Sequence, residues 1–169
     1  MIDSILKSRE ERYEYILKLI REYRLPVICG KVNYPGANKN TSTADMIFKI
    51  LSDKLYWKFK ESIIFSNLLE GHDGQSLILV VNMDHLTAKK RAAKIEEENR
   101  IGRLYDIDVY SLEGLPLSRN ELGLKPRKCI ICNDNPWICS KLKKHSLSEL
   151  LAVIDRILEE ELRRKNGQG

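Results

Sequence analysis

Asp106 and Asp108 stand two residues apart in Gly102-Arg103-Leu104-Tyr105-Asp106-Ile107-Asp108-Val109-Tyr110. On an extended strand, alternate side chains share a face. Tyr105, Ile107 and Val109 then point to a core, and the two carboxylates point together to the opposite side. Neighbouring carboxylates raise the cost of ionising one another. A divalent cation relieves that repulsion, and Mg²⁺ takes one or two carboxylates together with substrate phosphates. The pair is therefore a candidate Mg²⁺ site for phosphoryl transfer. A solvated edge strand with alternating charge accounts for the same spacing. Arg103, Arg119 and Arg127 surround the pair in sequence, and guanidinium forks match phosphate oxygens. A solvated basic surface is the plainer reading of these arginines. Lys39 joins them from the loop 33–40, where Gly36 would let the backbone approach a ligand. An ordinary turn explains Pro35-Gly36 equally well.

Cys129, Cys132, Cys139 and His145 follow in the pattern C-x2-C-x6-C-x5-H. Three thiols and an imidazole form a standard structural zinc set, and C-x2-C is the usual half of one. The intervening Asn133-Asp134-Asn135-Pro136-Trp137 is a turn that could instead stack the thiols in a small core. His145 could separately act as a general base, since it lies just ahead of a helix start. Ser118 is explained by helix capping and is not read as a nucleophile.

These groups sit on a chain of 169 residues with 29 Lys+Arg against 24 Asp+Glu, a formal charge of +5. The length suits one domain, and 43% apolar residues can fill a core. No run approaches the ~18 apolar residues of a membrane span, and the opening MIDSILKSREERYEY is charged throughout. The composition reads as soluble and cytoplasmic, with four cysteines serving as thiols or metal ligands. The mild basic surplus admits phosphate-bearing partners without requiring nucleic acid.

The positioning elements follow from periodicity. Ile5, Leu6, Tyr13, Ile16, Leu17 and Ile20 form the stripe of a first helix over 4–23. Pro26 opens a strand over 27–32, and Thr41 to Thr43 cap a second helix carrying Ile47, Phe48, Leu51 and Leu55. Strands over 62–69 and 76–82 are joined by the turn 70–75, which makes them an antiparallel hairpin. Asp84 caps a polar helix that closes at Gly102, and a fourth strand covers 103–111. The order βαββαβ is the ferredoxin-like pattern, an α+β fold with helices on one sheet face and the other face free. Residues 1–117 form this core. Residues 118–169 form a Cys/His-containing helical appendage packed as part of the same domain. It carries capping boxes at Ser118–Glu121 and Ser146–Glu149 and a stripe of Leu147, Leu150, Leu151, Ile154, Ile157, Leu158 and Leu162. The polar tail 163–169 is expected to fray.

The block Gly102-Arg103-Leu104-Tyr105-Asp106-Ile107-Asp108-Val109, with Ser118-Arg119, Leu122-Gly123, Pro126-Arg127-Lys128-Cys129-Ile130-Ile131-Cys132, Cys139 and His145-Ser146-Leu147-Ser148-Glu149-Leu150, resembles the CitX family. The likeness extends to Ile5-Leu6-Lys7-Ser8-Arg9-Glu10, to Asn33-Tyr34-Pro35-Gly36 with Lys39, and to Lys90 and Ile95-Glu96-Glu97. It covers nearly the whole chain. Asn135-Pro136-Trp137 departs from the smaller residues expected between the cysteines.

The resemblance implies a transferase. Such enzymes move a 2'-(5''-phosphoribosyl)-3'-dephospho-CoA group from 2'-(5''-triphosphoribosyl)-3'-dephospho-CoA to a serine of the citrate lyase acyl carrier protein, and diphosphate leaves. On this reading Asp106 and Asp108 bind Mg²⁺, and Arg103, Arg119 and Arg127 hold the triphosphate. Asn33, Pro35, Gly36 and Lys39 contact the substrate. Cys129, Cys132, Cys139 and His145 hold Zn²⁺ or pack a subdomain, and Glu97 is the candidate third carboxylate. The alternatives are a small zinc-containing nucleic-acid-binding module and a non-catalytic citrate lyase assembly factor. Against nucleic acid, Lys and Arg gather on no single stripe and aromatics are not interleaved with them.

Overall fold

Pro26 and the left-handed Arg24 (φ 54°) stop the first helix, α1 (Ile2–Tyr23), and turn the chain into β1 (Val27–Val32). The structure, a computed structural model, describes residues 2–167. The remaining elements are α2 (Ser42–Phe59), β2 (Ile63–Leu69), β3 (Ser76–Val81), α3 (His85–Glu97), β4 (Tyr105–Tyr110), α4 (Pro136–Lys141) and α5 (Leu147–Asn166). Gln168 and Gly169, the end of the tail expected to fray, lie outside the described residues. Three of the caps read from sequence open α-helices: the Thr41, Asp84 and Ser146 side chains accept from Ala44, Thr87 and Glu149 N–H groups, and Ser146–Glu149 forms a full capping box, whereas Ser118 and Glu121 bond each other's N–H groups but bracket only a 3-10 turn at Asn120–Leu122.

The architecture is α+β. Four strands pair antiparallel in the order β2-β3-β1-β4. Every residue of central β3 is buried, whereas edge strand β4 alternates buried and half-buried positions. On one face, α2, α3 and α5 close a core with Ile28, Leu79, Ile107 and Val109, to which α5 contributes Ile154, Ile157 and Leu158. Gly30 belongs to this face. A Cβ there would lie 2.3 Å from Leu55 Cδ1, so glycine lets α2 settle on the sheet.

The opposite face is not free. Ile16, Leu19 and Ile20 of α1 pack on Val27, Cys29, Ile78 and Val80. The α1 stripe needs an apolar cover, and the exposed face of a four-stranded sheet is where one exists. The turn before β4 also differs from expectation. α3 ends at Glu97, and Arg100–Leu104 forms a 3-10 turn that contains Gly102 and Arg103. Gly102 is not a left-handed helix terminator. A Cβ there would lie 2.6 Å from the Glu96 carbonyl oxygen, so glycine permits close approach to the last turn of α3. Among the described residues no helix is long and apolar enough to cross a membrane.

Candidate active site

The β1–β4 register builds the first half of the site. Lys31 pairs with Asp106 and Cys29 with Asp108, so both carboxylates emerge on the α1 face of the sheet. Lys31 Nζ lies 3.0 Å from Asp106 Oδ2, and an Arg127 nitrogen lies 3.7 Å from Oδ1. Burial opposes the Asp106 charge, but Lys31 and Arg127 outweigh it and hold this carboxyl below the usual aspartate range. Asp108 goes the other way, pushed up by burial and then by the charge of Asp106. Asp106 opens into a hollow of about 490 Å³ shared with Arg9 and Arg12 of α1, Lys31 and Asn33. Arg12 reaches the buried Asp73 at 2.7 Å and Arg9 reaches it at 3.8 Å.

A larger cavity of about 630 Å³ adjoins this hollow at Asn33. Its walls bring together Asn33, Pro35, Gly36, Lys39, Arg103, Arg127, Cys129, Cys139 and His145, with Lys128 and Lys143 adding charge. The volume is that of a site for a drug-sized or cofactor-sized molecule. Gly36 has φ 84°, and a Cβ there would meet the Leu147 side chain at 3.4 Å, so the Pro-Gly loop needs its glycine for both conformation and space. Lys39 bonds the Tyr34 carbonyl, and burial together with the Arg9 charge lowers its pKa.

The arginines are partnered within the protein. Arg103 donates to the carbonyls of Lys128 and Cys129, the latter at 2.8 Å, and to Asn133 Oδ1 at 3.4 Å. Arg119 bonds the Lys125 carbonyl at 2.9 Å and pairs with Glu96 at 2.8 Å and with Glu97. Arg127 bonds the Tyr105 carbonyl at 2.8 Å and pairs with Glu96 and Asp106. Glu97, the expected third carboxylate, thus faces Arg119 rather than the hollow of Asp106. Sequence reasoning missed Lys31, Arg9, Arg12 and Glu96. Their signal is a strand register and a helix placement, and neither can be read from local spacing.

Cys129, Cys132, Cys139 and His145 converge, with one donor atom of each within 4.8 Å of all the others. Cys132 and Cys139 sulfurs are 3.4 Å apart, and His145 Nε2 is 3.3 Å from Cys132 Sγ. These are the edge lengths of a small coordination tetrahedron, and S₃N is a donor set that suits Zn²⁺. Asn133 follows the second cysteine at φ 61°, and its N–H returns to the Cys129 carbonyl at 3.2 Å, curling the chain into a tight knuckle. Burial raises the Cys129 thiol, yet the Cys132 and Ile131 N–H groups outweigh it and draw the group below the ordinary value. Cys139 is pushed up to about 12 by burial and by its two thiol neighbours. Three thiols this close cannot all ionise unaided, and a bound dication would remove that conflict. His145 points its Nε2 into this cluster, the placement of a metal ligand.

Comparison with known proteins agrees with these features. The family model for CitX, apo-citrate lyase phosphoribosyl-dephospho-CoA transferase, matches residues 1–161. The chain is 28% identical over 166 residues to the apo-citrate lyase phosphoribosyl-dephospho-CoA transferase of Shigella flexneri, covering 94% of this chain and 88% of that one. The protein of the same name from Escherichia coli O1:K1 matches with the same identity and coverage. Protein CitXG of Haemophilus influenzae is 28% identical over 164 residues, which span 94% of this chain and 35% of that longer protein. With a family match that runs through the strand of Asp106 and Asp108, both hollows and the Cys/His cluster, the chain belongs to the CitX family of apo-citrate lyase phosphoribosyl-dephospho-CoA transferases.

Proposed function

We propose that this protein is a nucleotidyltransferase-type enzyme that completes the citrate lyase acyl carrier protein. It moves the 2'-(5''-phosphoribosyl)-3'-dephospho-CoA group from the triphosphate precursor to a carrier serine. The serine oxygen attacks the phosphorus next to the ribose, a phosphodiester bond forms, the bond to the departing diphosphate breaks, and the serine proton is lost. One observation carries the reading: a cavity of about 630 Å³ shares Asn33 as a wall with a carboxylate-bearing hollow lined by Arg9, Arg12 and Lys31. The large cavity suits the dephospho-CoA body, and the cationic hollow suits a polyphosphate.

Within this reading Arg9, Arg12, Lys31 and Arg127 face the polyphosphate, and Asn33, the Pro35-Gly36 loop and Lys39 face the ribose. Arg103 and Arg119 act one step back, since their guanidiniums fix the 3-10 turn, the cysteine knuckle and the end of α3. Asp106 and Asp108 would hold Mg²⁺. Two like-faced carboxylates, one driven up in pKa by burial and then by the charge of the other, are a donor pair that a dication satisfies. Bound there, Mg²⁺ would neutralise charge on the transferring phosphates. Loading it requires Lys31 to release Asp106. Zn²⁺ would occupy Cys129, Cys132, Cys139 and His145 as a structural ion. The strand order is read as the ferredoxin-like arrangement, and residues 118–169 as an extension of the same domain. A reducing cytoplasm would keep the thiols free for metal.

The deciding experiment incubates purified protein with the triphosphate precursor and apo-carrier, with and without Mg²⁺, and follows carrier mass. A Mg²⁺-dependent gain of the prosthetic group with diphosphate release is expected. Carrier binding without transfer would leave an assembly factor instead.

A further inference from the structure

Four large apolar side chains stand exposed within residues 137–147: Trp137, Ile138, Leu142 and Leu147. They surround α4, whose Asn135 cap accepts from Trp137 N–H and whose exit passes through Leu142 and the left-handed Lys143. Ile138 and Leu142 are four residues apart on one flank. Trp137 and Lys141 share another, with the ammonium 4.8 Å from the indole centroid. The stretch carries Lys141, Lys143 and Lys144; Lys144 pairs with Asp134 at 2.6 Å, so Lys141 and Lys143 supply the cationic border. It also borders the larger cavity, because Ser140, Lys143 and Leu147 line that cavity while Trp137 and Leu142 stand outside it.

We infer that this rim is the docking surface for the protein acceptor, engaging an acidic surface that brings its acceptor hydroxyl to the cavity mouth. The inference rests on the transfer reaction proposed above. The attacked phosphorus, next to the ribose, falls where the cationic hollow and the larger cavity meet at Asn33, and Leu147, against Gly36 of the loop that follows Asn33, carries the rim to that junction, so the acceptor's contacts fall on these walls. An apolar centre with a cationic border buries area and selects a negative partner. Other exposed apolar groups, such as Met46 and Trp57 of α2, do not line that cavity.

Trp57 and Trp137 are the two tryptophans, so Trp57→Phe leaves Trp137 as the sole indole reporter. Titration of this variant with purified apo-carrier is expected to give a saturable change in Trp137 emission. The affinity should fall several-fold between ~50 and ~300 mM salt, as screening removes the lysine attraction. No change in emission, or binding indifferent to salt, overturns the inference. In steady-state transfer, Trp137→Ala and Leu142→Ser should raise KM for the carrier about tenfold, the range of an interface anchor, and leave KM for the triphosphate precursor unaltered. Both side chains are exposed, so thermal unfolding should match the parent. Lys141→Glu provides a second surface variant with the same expected sign. A parent that transfers nothing rejects the reaction while the titration still reads docking. A parent that transfers, with variants of unchanged carrier KM, rejects the docking surface alone.

Discussion

Lys31 and Asp106 face each other across the β1–β4 ladder with Nζ 3.0 Å from Oδ2, while Asp108, two residues on, faces the buried Cys29. Two carboxylates of one strand face are thereby made unequal. Asp106 is held below the ordinary range by Lys31 and Arg127 against the effect of burial, and Asp108 is raised by burial and by Asp106. Asp108 therefore takes up a proton at higher pH than Asp106, and Asp106 keeps its charge to lower pH.

Single substitution of either carboxylate tests the proposed Mg²⁺ pair. Asp106→Asn and Asp108→Asn should each lower transfer by about 100-fold or more, the scale of removing one charge-stabilising group from a transition state. Carrier mass shift is the measurement. Activity within a few-fold of the parent in both variants would reject the metal assignment.

The same inequality sets a pH dependence. If both carboxylates must be ionised, the acid limb of the pH–rate profile follows Asp108 and lies above the ordinary aspartate value of 3.8. Lys31 lowers both carboxyls, so Lys31→Met should move the limb to higher pH. A limb that stays in place or moves down contradicts the assignment. Stability follows Asp106 with the opposite sense. Its folded-state pKa is depressed, so its contribution is complete above 3.8 and is lost as pH falls through the folded value. Lys31→Met should remove about 0.5–1 kcal/mol near neutrality, the scale of a partly solvated pair, and flatten this loss.

Local signals made the elements legible. The Thr41, Asp84 and Ser146 caps, the β2–β3 hairpin and the alternation of Tyr105, Ile107 and Val109 depend on nearest neighbours or a period of two, and they appear where the residues place them. The cysteine spacing brought its four donors together for the same reason. What was not legible depends on long-range register. Nothing local places Lys31 opposite Asp106, sets α1 across the second sheet face, or directs Arg103 to knuckle carbonyls and Arg119 to Glu96. Gly102 was ambiguous because glycine serves two purposes. Left-handed termination and close packing share a residue type, and only the distance to the Glu96 carbonyl separates them.

That distance gives a stability prediction. Gly102→Ala would put a Cβ 2.6 Å from the Glu96 carbonyl oxygen and 2.8 Å from its carbon, both backbone atoms that cannot rotate away. A loss of about 2–3 kcal/mol is expected, the scale of overpacking a tight site. Urea denaturation measures it, and a variant within experimental error of the parent would show that the turn relaxes freely.

The cysteine knuckle predicts metal content and a supporting role for Arg103. Protein purified without chelator should contain about one zinc per chain by elemental analysis, and Cys132→Ser should lose it. Well-folded protein free of zinc would end the assignment. Arg103 ties the knuckle to the turn before β4 through the Cys129 carbonyl and Asn133. Arg103→Ala should therefore weaken zinc retention against a competing chelator by about 10–100-fold, as removal of outer-sphere partners does. Retention equal to the parent would mean that the four donors hold their geometry without the clamp.

Glu96 should prove the costliest residue to remove. It is buried at the end of α3, where Oε1 accepts from Ile107 N–H at 3.0 Å and Oε2 from Arg119 at 2.8 Å, and Arg127 closes on the same carboxylate. Lys89, also buried, donates to the Ile107 carbonyl at 2.9 Å. α3 thus satisfies the outer edge of β4 at Ile107 with side chains, beside the Leu117 N–H that bonds the Val109 carbonyl at 2.9 Å. Glu96→Ala would leave the buried Ile107 N–H without its acceptor and take one partner from each guanidinium, while Arg119 keeps Glu97 and the Lys125 carbonyl and Arg127 keeps Asp106 and the Tyr105 carbonyl, at about 3 kcal/mol in all. Glu96→Gln keeps the size and one acceptor, so it should cost less. Because Arg127 also reaches Asp106 and lines the larger cavity, both variants should weaken binding of the triphosphate precursor by calorimetry at temperatures where they remain folded. If Glu96→Ala unfolds within about 1 kcal/mol of the parent, β4 is held by the core beneath it and not by this edge network.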